Sequence, residues 1–366
     1  MLKQLVNIFS LSTFLFFTTL QADTLFVTNL NDSGTGSLRE AITNATSFDT
    51  IECDSALSGT ISLESPLPTI SIPMFINGPD SKAVTVDGNG DAMFDVQAYF
   101  VFITKLNLSN GIQSGGGGIV TVDLNHSITL TDLTVTISED TDGENPLLAT
   151  IDGQINLSDV TFSTDEINAV YLDTGNLAIE STGSSQVVVN GSGQVVTAGT
   201  GTIEIIAGAS PADLTIIAND GPTVIFSGTT SNSVVINDGG FLYGNFTTPN
   251  VASGGTLKPG TPTTIGTCIS TGDTYQSSDA TLQIKIDPSG DTDEYLIGGA
   301  MYMIGGTLTL LPESGTYLEN TVYSFLLTEG GLVGEFDTVT YIPGLYYDVV
   351  YNLHSIDIVI TDTSTI

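Results

Sequence analysis

Three segments decide the fold: VFITKLNL at residues 101–108, ITLTDLTV at residues 128–135 and INLSDVTF at residues 155–162 are equally spaced and align without a gap. Apolar residues alternate with other residues along each segment, which is typical of a half-buried strand. A charged residue at the fifth position, followed at once by an apolar one, interrupts the alternation and predicts a bend between two strands. Three such bends at constant spacing, at Lys105, Asp132 and Asp159, indicate successive coils of a solenoid.

The repeat predicts which side chains form the interior of each coil. Stacked coils lie about 4.8 Å apart, so equivalent positions form columns. The predicted interior columns are Ile103, Leu130, Leu157 and Leu106, Leu133, Val160, and the predicted water-facing columns are Thr104, Thr131, Ser158 and Asn107, Thr134, Thr161. Looser alternating segments extend the pattern to both sides and fit a three-sided coil. The sequence therefore predicts an all-β chain that folds as a right-handed parallel β-helix. A β-sandwich is the alternative, but it does not require a constant register.

The charge of the chain excludes several classes of partner. Acidic residues number 41 against 6 basic ones, which gives a formal net charge of -35, although only 13% of the 366 residues are charged. A hydrophobic fraction of 40% argues against disorder. Phosphate recognition needs clusters of Lys and Arg, so nucleic acid is excluded as a natural partner and anionic membrane surfaces are disfavoured.

The first residues predict export. Lys3 precedes an apolar stretch from Leu5 to Leu20, and Leu20-Gln21-Ala22 offers a cleavage site, so residues 1–22 are interpreted as a secretory signal peptide. We expect the mature chain at the cell surface, at the outer membrane or outside the cell. Only Cys53 and Cys268 are present, and in an elongated solenoid they lie too far apart for a disulfide, so buried thiols are predicted.

The ends of a solenoid must be covered, because an open coil is an unpaired strand edge. Residues 37–47 are the one candidate helix, with Ser37 as N-cap and Glu40 completing a capping box, and we expect Arg39 to be held within this cap. After residue 250 the chain becomes richer in Tyr. The predicted organisation is a cap at residues 23–60, a parallel β-helix at 61–253 and a β-rich closing region at 254–366.

Two stretches resemble known families. Phe26-Val-Thr-Asn-Leu-Asn-Asp-Ser-Gly-Thr-Gly-Ser-Leu-Arg-Glu-Ala-Ile42 is similar to the N-terminal cap of bacterial surface β-helix proteins of the CSLREA type, with Gly36 at the position of the Cys. The likeness continues through Val84-Thr-Val-Asp-Gly-Asn-Gly90, Leu106-Asn-Leu-Ser-Asn-Gly111 and the run Gly115 to Gly118. The polymorphic outer-membrane proteins are a looser comparison, since their tetrapeptide repeats are not repeated here.

The second resemblance covers the C-terminal part of the chain. Gly255-Thr-Leu-Lys-Pro-Gly260, Thr281-Leu-Gln-Ile-Lys-Ile286, Asp293-Glu-Tyr-Leu-Ile-Gly-Gly299 and Gly305-Gly-Thr-Leu-Thr-Leu310 are similar to the C-terminal part of autotransporter passengers. That part usually precedes an outer-membrane barrel. The sequence up to Ile366 shows no series of amphipathic barrel strands, so we expect an outer-membrane anchor that is not part of this chain.

Candidate chemical groups are few. Asp132 and Asp159 would stack on adjacent coils within reach of each other, and a polysaccharide hydrolase needs carboxylates that are clustered. Asp at such positions is, however, more often a turn former. Asp87, Asn89 and Asp91 have the alternate oxygen ligands of a calcium loop, but Ala92 and Ala98 stand where that loop needs Gly and Glu. Weak Ca²⁺ binding is the one cofactor possibility.

These observations and the resemblance together predict a non-enzymatic passenger of a Gram-negative bacterium that binds a host or environmental surface ligand. The alternative is a carbohydrate-active β-helix enzyme, a hydrolase or lyase, that acts through Asp132 and Asp159.

Overall fold

The fold was taken from a computed structural model that describes residues 22–111, 118–136, 148–151, 153–163, 170–181, 184–207 and 213–366. The predicted signal peptide lies outside the described residues except for Ala22. The glycine run from Gly115 to Gly118 also lies outside them except for Gly118.

The N-terminal half contains one short helix and short strands. Its elements are β1 Thr24–Val27, α1 Leu38–Asn44, β2 Asp49–Cys53, β3 Gly59–Ser62, β4 Met74–Asn77, β5 Val84–Asp87, β6 Phe94–Val96, β7 Val101–Thr104, β8 Asn107–Ser109, β9 Val120–Val122, β10 Ser127–Thr131, β11 Thr134–Thr136, β12 Leu148–Ile151, β13 Gln154–Ser158, β14 Thr161–Ser163, β15 Val170–Ser181 and β16 Ser184–Gly199.

The remaining elements are all strands. They are β17 Thr202–Ala207, β18 Asp213–Ala218, β19 Thr223–Thr229, β20 Ser233–Ile236, β21 Phe241–Thr248, β22 Asn250–Ser253, β23 Thr256–Pro259, β24 Thr267–Ser270, β25 Thr274–Gln276, β26 Thr281–Ile286, β27 Glu294–Ile297, β28 Met301–Met303, β29 Thr307–Pro312, β30 Thr316–Tyr317, β31 Val322–Thr328, β32 Leu332–Val333, β33 Thr338–Val339, β34 Tyr346–Tyr351, β35 Ser355–Asp362 and β36 Ser364–Thr365.

Parallel pairing between successive coils builds three faces. The first face runs through β1, β2, β4, β7, β10, β13, β15, β16, β18, β20, β22, β25, β28 and β32. The second contains β3, β5, β8, β11 and β14, and further along β16, β17, β19, β21, β23, β26, β29 and β33. The third begins with β6, β9, β12 and β15, and ends with β21, β24, β27 and β31. The prediction of a parallel β-helix is confirmed.

The predicted register between the three repeats is confirmed residue by residue. Val101 pairs with Ile128 and Ile128 with Ile155 on the first face, and Asn107 pairs with Thr134 on the second. The bend residues Lys105, Asp132 and Asp159 adopt left-handed backbone conformations, with φ of 55°, 55° and 51°. Each therefore turns the chain from the first face to the second at the same point of its coil.

The interior columns are also as predicted. Ile103, Leu130, Leu157, Leu106, Leu133 and Val160 are all at most 3% exposed. Of the residues predicted to face water, Thr104, Thr131, Ser158, Asn107 and Thr134 are half-buried, because each is flanked by its equivalents in the neighbouring coils. The side chain of Thr161 lies outside the described ones.

The coil length changes along the solenoid. The coil that brings Phe241 into register with Thr223 is much shorter than the one that brings Leu332 into register with Met301. Glycine allows the backbone to approach itself where the coils are short: a Cβ on Gly193 would lie 2.0 Å from the carbonyl oxygen of Gly175. Gly193 has a positive φ, which other residues rarely adopt.

The predicted helix is present as α1, but it ends at Asn44 and does not extend to residue 47. Helix α1 is capped by Ser37, whose hydroxyl accepts from the Glu40 amide at 3.1 Å, while the Glu40 carboxylate accepts from the Gly36 amide at 2.7 Å. Arg39 contacts the Asp32 carboxylate at 2.5 Å and the carbonyl oxygens of Ser65 and Pro66. Arg39 thus joins the helix to the first coil.

The C-terminal end is closed by antiparallel strands and buried tyrosines. β31 and β34 pair antiparallel with β35, and β30 pairs antiparallel with β36. Tyr295, Tyr317 and Tyr323 are buried; Tyr323 donates to the carbonyl oxygen of Asp287 at 2.6 Å. Burial raises the pKa of Tyr323 to about 12 and raises the pKa of Tyr317 and Tyr295 as well.

Both cysteines are free thiols, as predicted. Cys53 and Cys268 are buried. Burial raises the pKa of the Cys53 thiol to about 11 and also raises that of Cys268.

Leu130→Asp should destabilise the solenoid severely, because it places an unpaired charge in a fully buried column. We expect a loss of at least about 4 kcal/mol in the free energy of unfolding, measured by urea denaturation followed by circular dichroism. Thr131→Asp is the control, since the next residue points outward and should tolerate the charge. An unchanged unfolding curve for Leu130→Asp would mean that the register is wrong.

Stability should fall at alkaline pH through the buried tyrosines. Tyr323 keeps its proton in the folded state up to about pH 12, whereas an unfolded chain loses it near pH 10. The stabilisation is therefore fully present below about pH 10 and is lost as the pH rises toward about 12. Tyr323→Phe should flatten this loss in urea titrations, and Tyr341→Phe, at an exposed position, should not. Equal slopes in all three proteins would contradict the role of Tyr323.

Candidate functional site

The structure brings Asp132 and Asp159 together in one column of bends. The amide of Asp132 donates to the carbonyl oxygen of Ser158 at 2.9 Å, and the amide of Asp159 donates to that of Glu180 at 3.1 Å. Asp is among the residues that tolerate the left-handed conformation found here. The geometry therefore gives both residues a turn-forming role, whatever further role their carboxylates have.

The carboxylate of Asp132 forms an ion pair with Lys82, which belongs to an earlier coil. Lys105, the first residue in the column of bends, pairs with Asp80 at 2.5 Å. These contacts link different coils through opposite charges: Lys105 contacts Asp80 of the preceding coil, and Asp132 contacts Lys82 two coils before it. A general acid or base must lie within hydrogen-bond reach of its substrate, so a substrate at Asp132 would have to compete with the contact between its Oδ1 and Lys82.

The candidate calcium loop is a hydrogen-bonded turn. Oδ1 of Asp87 accepts from the Asn89 amide at 2.8 Å, and Oδ2 accepts from Nδ2 of Asn110 at 3.0 Å. Asn89 is left-handed, and the amide of Asp91 donates to the carbonyl oxygen of Gly88 at 2.9 Å. Both oxygens of Asp87 are thus engaged within the turn. Among the described residues, no group of three His, Cys, Asp or Glu side chains is placed to hold a metal ion.

Every Lys and Arg in the described part of the chain is paired with a carboxylate. The pairs are Arg39–Asp32, Lys82–Asp132, Lys105–Asp80, Lys258–Asp293 and Lys285–Glu313. A ligand that needs an unpaired Lys or Arg therefore finds none on the described surface.

The Lys258–Asp293 pair is fully buried, and sequence reasoning missed it. Nζ of Lys258 lies 3.1 Å from Oδ2 of Asp293 and 2.8 Å from the carbonyl oxygen of Pro259. The two Asp293 oxygens also accept from the backbone amides of Gly266 and Lys285 at 2.9 and 2.7 Å. Burial lowers the pKa of Lys258 and raises the pKa of Asp293, while their mutual attraction opposes both shifts.

This pair joins three of the four C-terminal motifs noted in the sequence. Lys258 belongs to residues 255–260, Lys285 to residues 281–286 and Asp293 to residues 293–299. Three successive residues of β23, Leu257, Lys258 and Pro259, are buried. The sequence contains no signal of this, because Lys258 stands where the alternation predicts an outward side chain, in register with the half-buried Tyr243. These motifs thus build a structural core, not an exposed site.

A column of outward apolar side chains on the first face is the second feature that sequence reasoning missed. We name it the apolar column; its members, in register from coil to coil, are Ala178, Val196, Ile217, Val235, Ala252, Tyr275, Tyr302 and Val333. Runs such as Val234-Val-Ile236, where an apolar residue stands between two inward ones, were the available signal.

The C-terminal end of the apolar column is the most exposed. Tyr275, Tyr302 and Val333 are 51%, 36% and 53% exposed. The rings of Tyr275 and Tyr302 stack with centroids 5.1 Å apart and an interplanar angle of 11°. Such aligned apolar groups at a protein surface often mark an interaction site.

Comparison of the chain with models of protein families gives no match, and comparison with curated proteins gives none. No helix in the described part of the chain is long and apolar enough to cross a membrane.

Removal of one member of the buried Lys258–Asp293 pair should destabilise the protein more than removal of both. Lys258→Met leaves a buried carboxylate without its counter-ion, and Asp293→Asn leaves a buried ammonium, so each should cost about 3–5 kcal/mol of unfolding free energy. The double variant should recover a large part of that loss. Urea denaturation of the four proteins gives the coupling energy.

Asp80→Asn is the matched control for this cycle, because it breaks an ion pair whose carboxylate is 94% exposed. It should leave the denaturation midpoint unchanged. Additive losses in the double variant would refute the coupling of Lys258 and Asp293.

Proposed function

We propose that the chain is a secreted or cell-surface, passenger-type β-helix protein of a Gram-negative bacterium that binds a host or environmental surface without catalysing a reaction. Support comes from the predicted export signal, the resemblance of both ends to surface β-helix proteins and the parallel β-helix itself. In this proposal the protein associates with the outer membrane.

The apolar column is the observation that carries the binding role. A regular β-helix needs inward apolar residues to fold, but outward ones add nothing to its interior. Tyr302 and Val333 nevertheless stand outward and exposed, in line with Tyr275. Aromatic side chains in aligned, exposed positions are typical anchors of protein surfaces that bind.

A carbohydrate-active enzyme is the second hypothesis. The placement of Asp132 and Asp159 in neighbouring coils supports it, since carboxylate pairs hydrolyse glycosides. The ion pair between Asp132 and Lys82 and the turn geometry of both residues weigh against it. The non-enzymatic proposal therefore has the stronger support.

The binding proposal predicts that the purified chain is retained on its target surface and that native cells display it. Tyr302→Ser combined with Val333→Ser should reduce retention roughly tenfold, since both changes remove exposed apolar anchors. Retention on host cells or matrix, measured against an unrelated β-helix protein, provides the readout. Protease treatment of intact native cells tests the surface location.

The matched control combines Tyr341→Ser with Leu353→Ser. These residues are 74% and 72% exposed but lie outside the apolar column, so retention should not change. Retention no higher than that of the unrelated β-helix would remove the binding proposal, and protection of the chain in intact cells would remove the surface location.

A further inference from the structure

The apolar column contains a gap beside its stacked tyrosines. Ala252 stands between Val235 in the preceding coil and Tyr275 in the next, and its side chain is a single methyl group. Neighbouring coils are about 4.8 Å apart, so Val235 and Tyr275 are separated by roughly twice that distance. The adjacent coils carry larger side chains at the equivalent position, so space is left above Ala252 between Val235 and Tyr275.

The stacked tyrosines show what shape this space accepts. One face of the Tyr275 ring is covered by Tyr302 of the following coil. The opposite face is turned toward the coil of Ala252 and opens into a surface depression. A six-membered ring above Ala252 would continue the stack at nearly the spacing that the two tyrosines already show. Val235 would then close its other face.

The rim of the depression is polar and acidic. It includes Asn237, Asp238 and Ser277, whereas the exposed side chain of Ile304 adds an apolar wall. The Asn237 amide group donates to Oδ1 of Asn219 at 2.7 Å, which orients it. Among the described residues, the Asp238 carboxylate has no hydrogen-bond or ion-pair partner. Carboxylate and amide oxygens at the rim accept hydrogen bonds from hydroxyl groups.

We propose that this depression is a binding site for a neutral hexose ring of a glycan, and this inference rests on the proposed surface-binding function. A pyranose has an apolar C–H face, which packs on the aromatic ring, and hydroxyl groups around its edge, which reach the polar rim. An acidic sugar is disfavoured, because Asp238 repels its carboxylate and every described Lys and Arg is already paired.

Saturation-transfer difference NMR on the folded chain tests the site. The probes are the methyl glycosides of glucose, galactose, mannose and N-acetylglucosamine, with galacturonic acid as the anionic comparator. We expect at least one neutral glycoside to show transfer to its ring C–H protons, and galacturonic acid to show less. No transfer to any of the neutral glycosides would overturn the proposal.

Two variants locate the binding. Ala252→Leu fills the gap, and Tyr275→Ser removes the ring platform, so each should weaken binding of the responding glycoside at least tenfold. Ala178→Leu makes the same change in an earlier coil of the apolar column and is the control, with unchanged binding expected. Circular dichroism confirms that each outward substitution leaves the fold intact. Binding that survives Ala252→Leu would place the sugar elsewhere and refute the site.

Other occupants give different results. Binding of indole but of no sugar would assign the gap to an aromatic side chain of a protein partner, and self-association abolished by Ala252→Leu would assign it to a second copy of the chain. Either outcome overturns the sugar site. Surface retention of the wild type without sugar binding would leave the proposed function standing, and sugar binding without retention would refute that function alone.

Discussion

The coil-to-coil register is the constraint on which the rest of this structure depends. Each strand of a parallel β-helix must place its inward residues above those of the previous coil, and a shift of one residue would turn every interior side chain outward. The left-handed bends at Lys105, Asp132 and Asp159 hold that register, because the chain changes face at the same residue of each coil. The interior columns, the outward columns and the ion pairs between bends all follow from it.

The same register determines which carboxylates the few Lys and Arg side chains contact. Four of the five described Lys and Arg side chains contact a carboxylate of another coil, and two bends of the repeat take part in such contacts. Near the C-terminal end, the Lys258–Asp293 contact is buried and is surrounded by backbone donors and acceptors. Outside these contacts, the described surface is either neutral or negative, which limits the ligands that it can attract.

The sequence predicts the fold well where each coil contains the charged bend residue and a strict alternation of apolar residues. The charged bend residue and the strict alternation between residues 101 and 162 were sufficient to give the pairing partner of each strand. Between residues 170 and 251 the coils are shorter, and their corners are set by glycines such as Gly193 and Gly244, which also occur in ordinary turns; after residue 251 the coils lengthen again. The pairing of Lys258 with Asp293 and the alignment of the apolar column depend on these irregular coil lengths. A repeat of fixed spacing in the sequence therefore predicts neither of them.

The small number and the pairing of the described Lys and Arg side chains also bear on how the protein resists proteases. Digestive enzymes of the trypsin type cut only after Lys or Arg, and the described chain offers them few such bonds. Lys258 is buried and precedes Pro259, Arg39 lies in the capping helix, and Lys285 lies within β26. Only Lys82 and Lys105 lie at exposed corners, and each is held by a carboxylate of another coil. A surface poor in cations thus leaves this class of enzyme few places to cut.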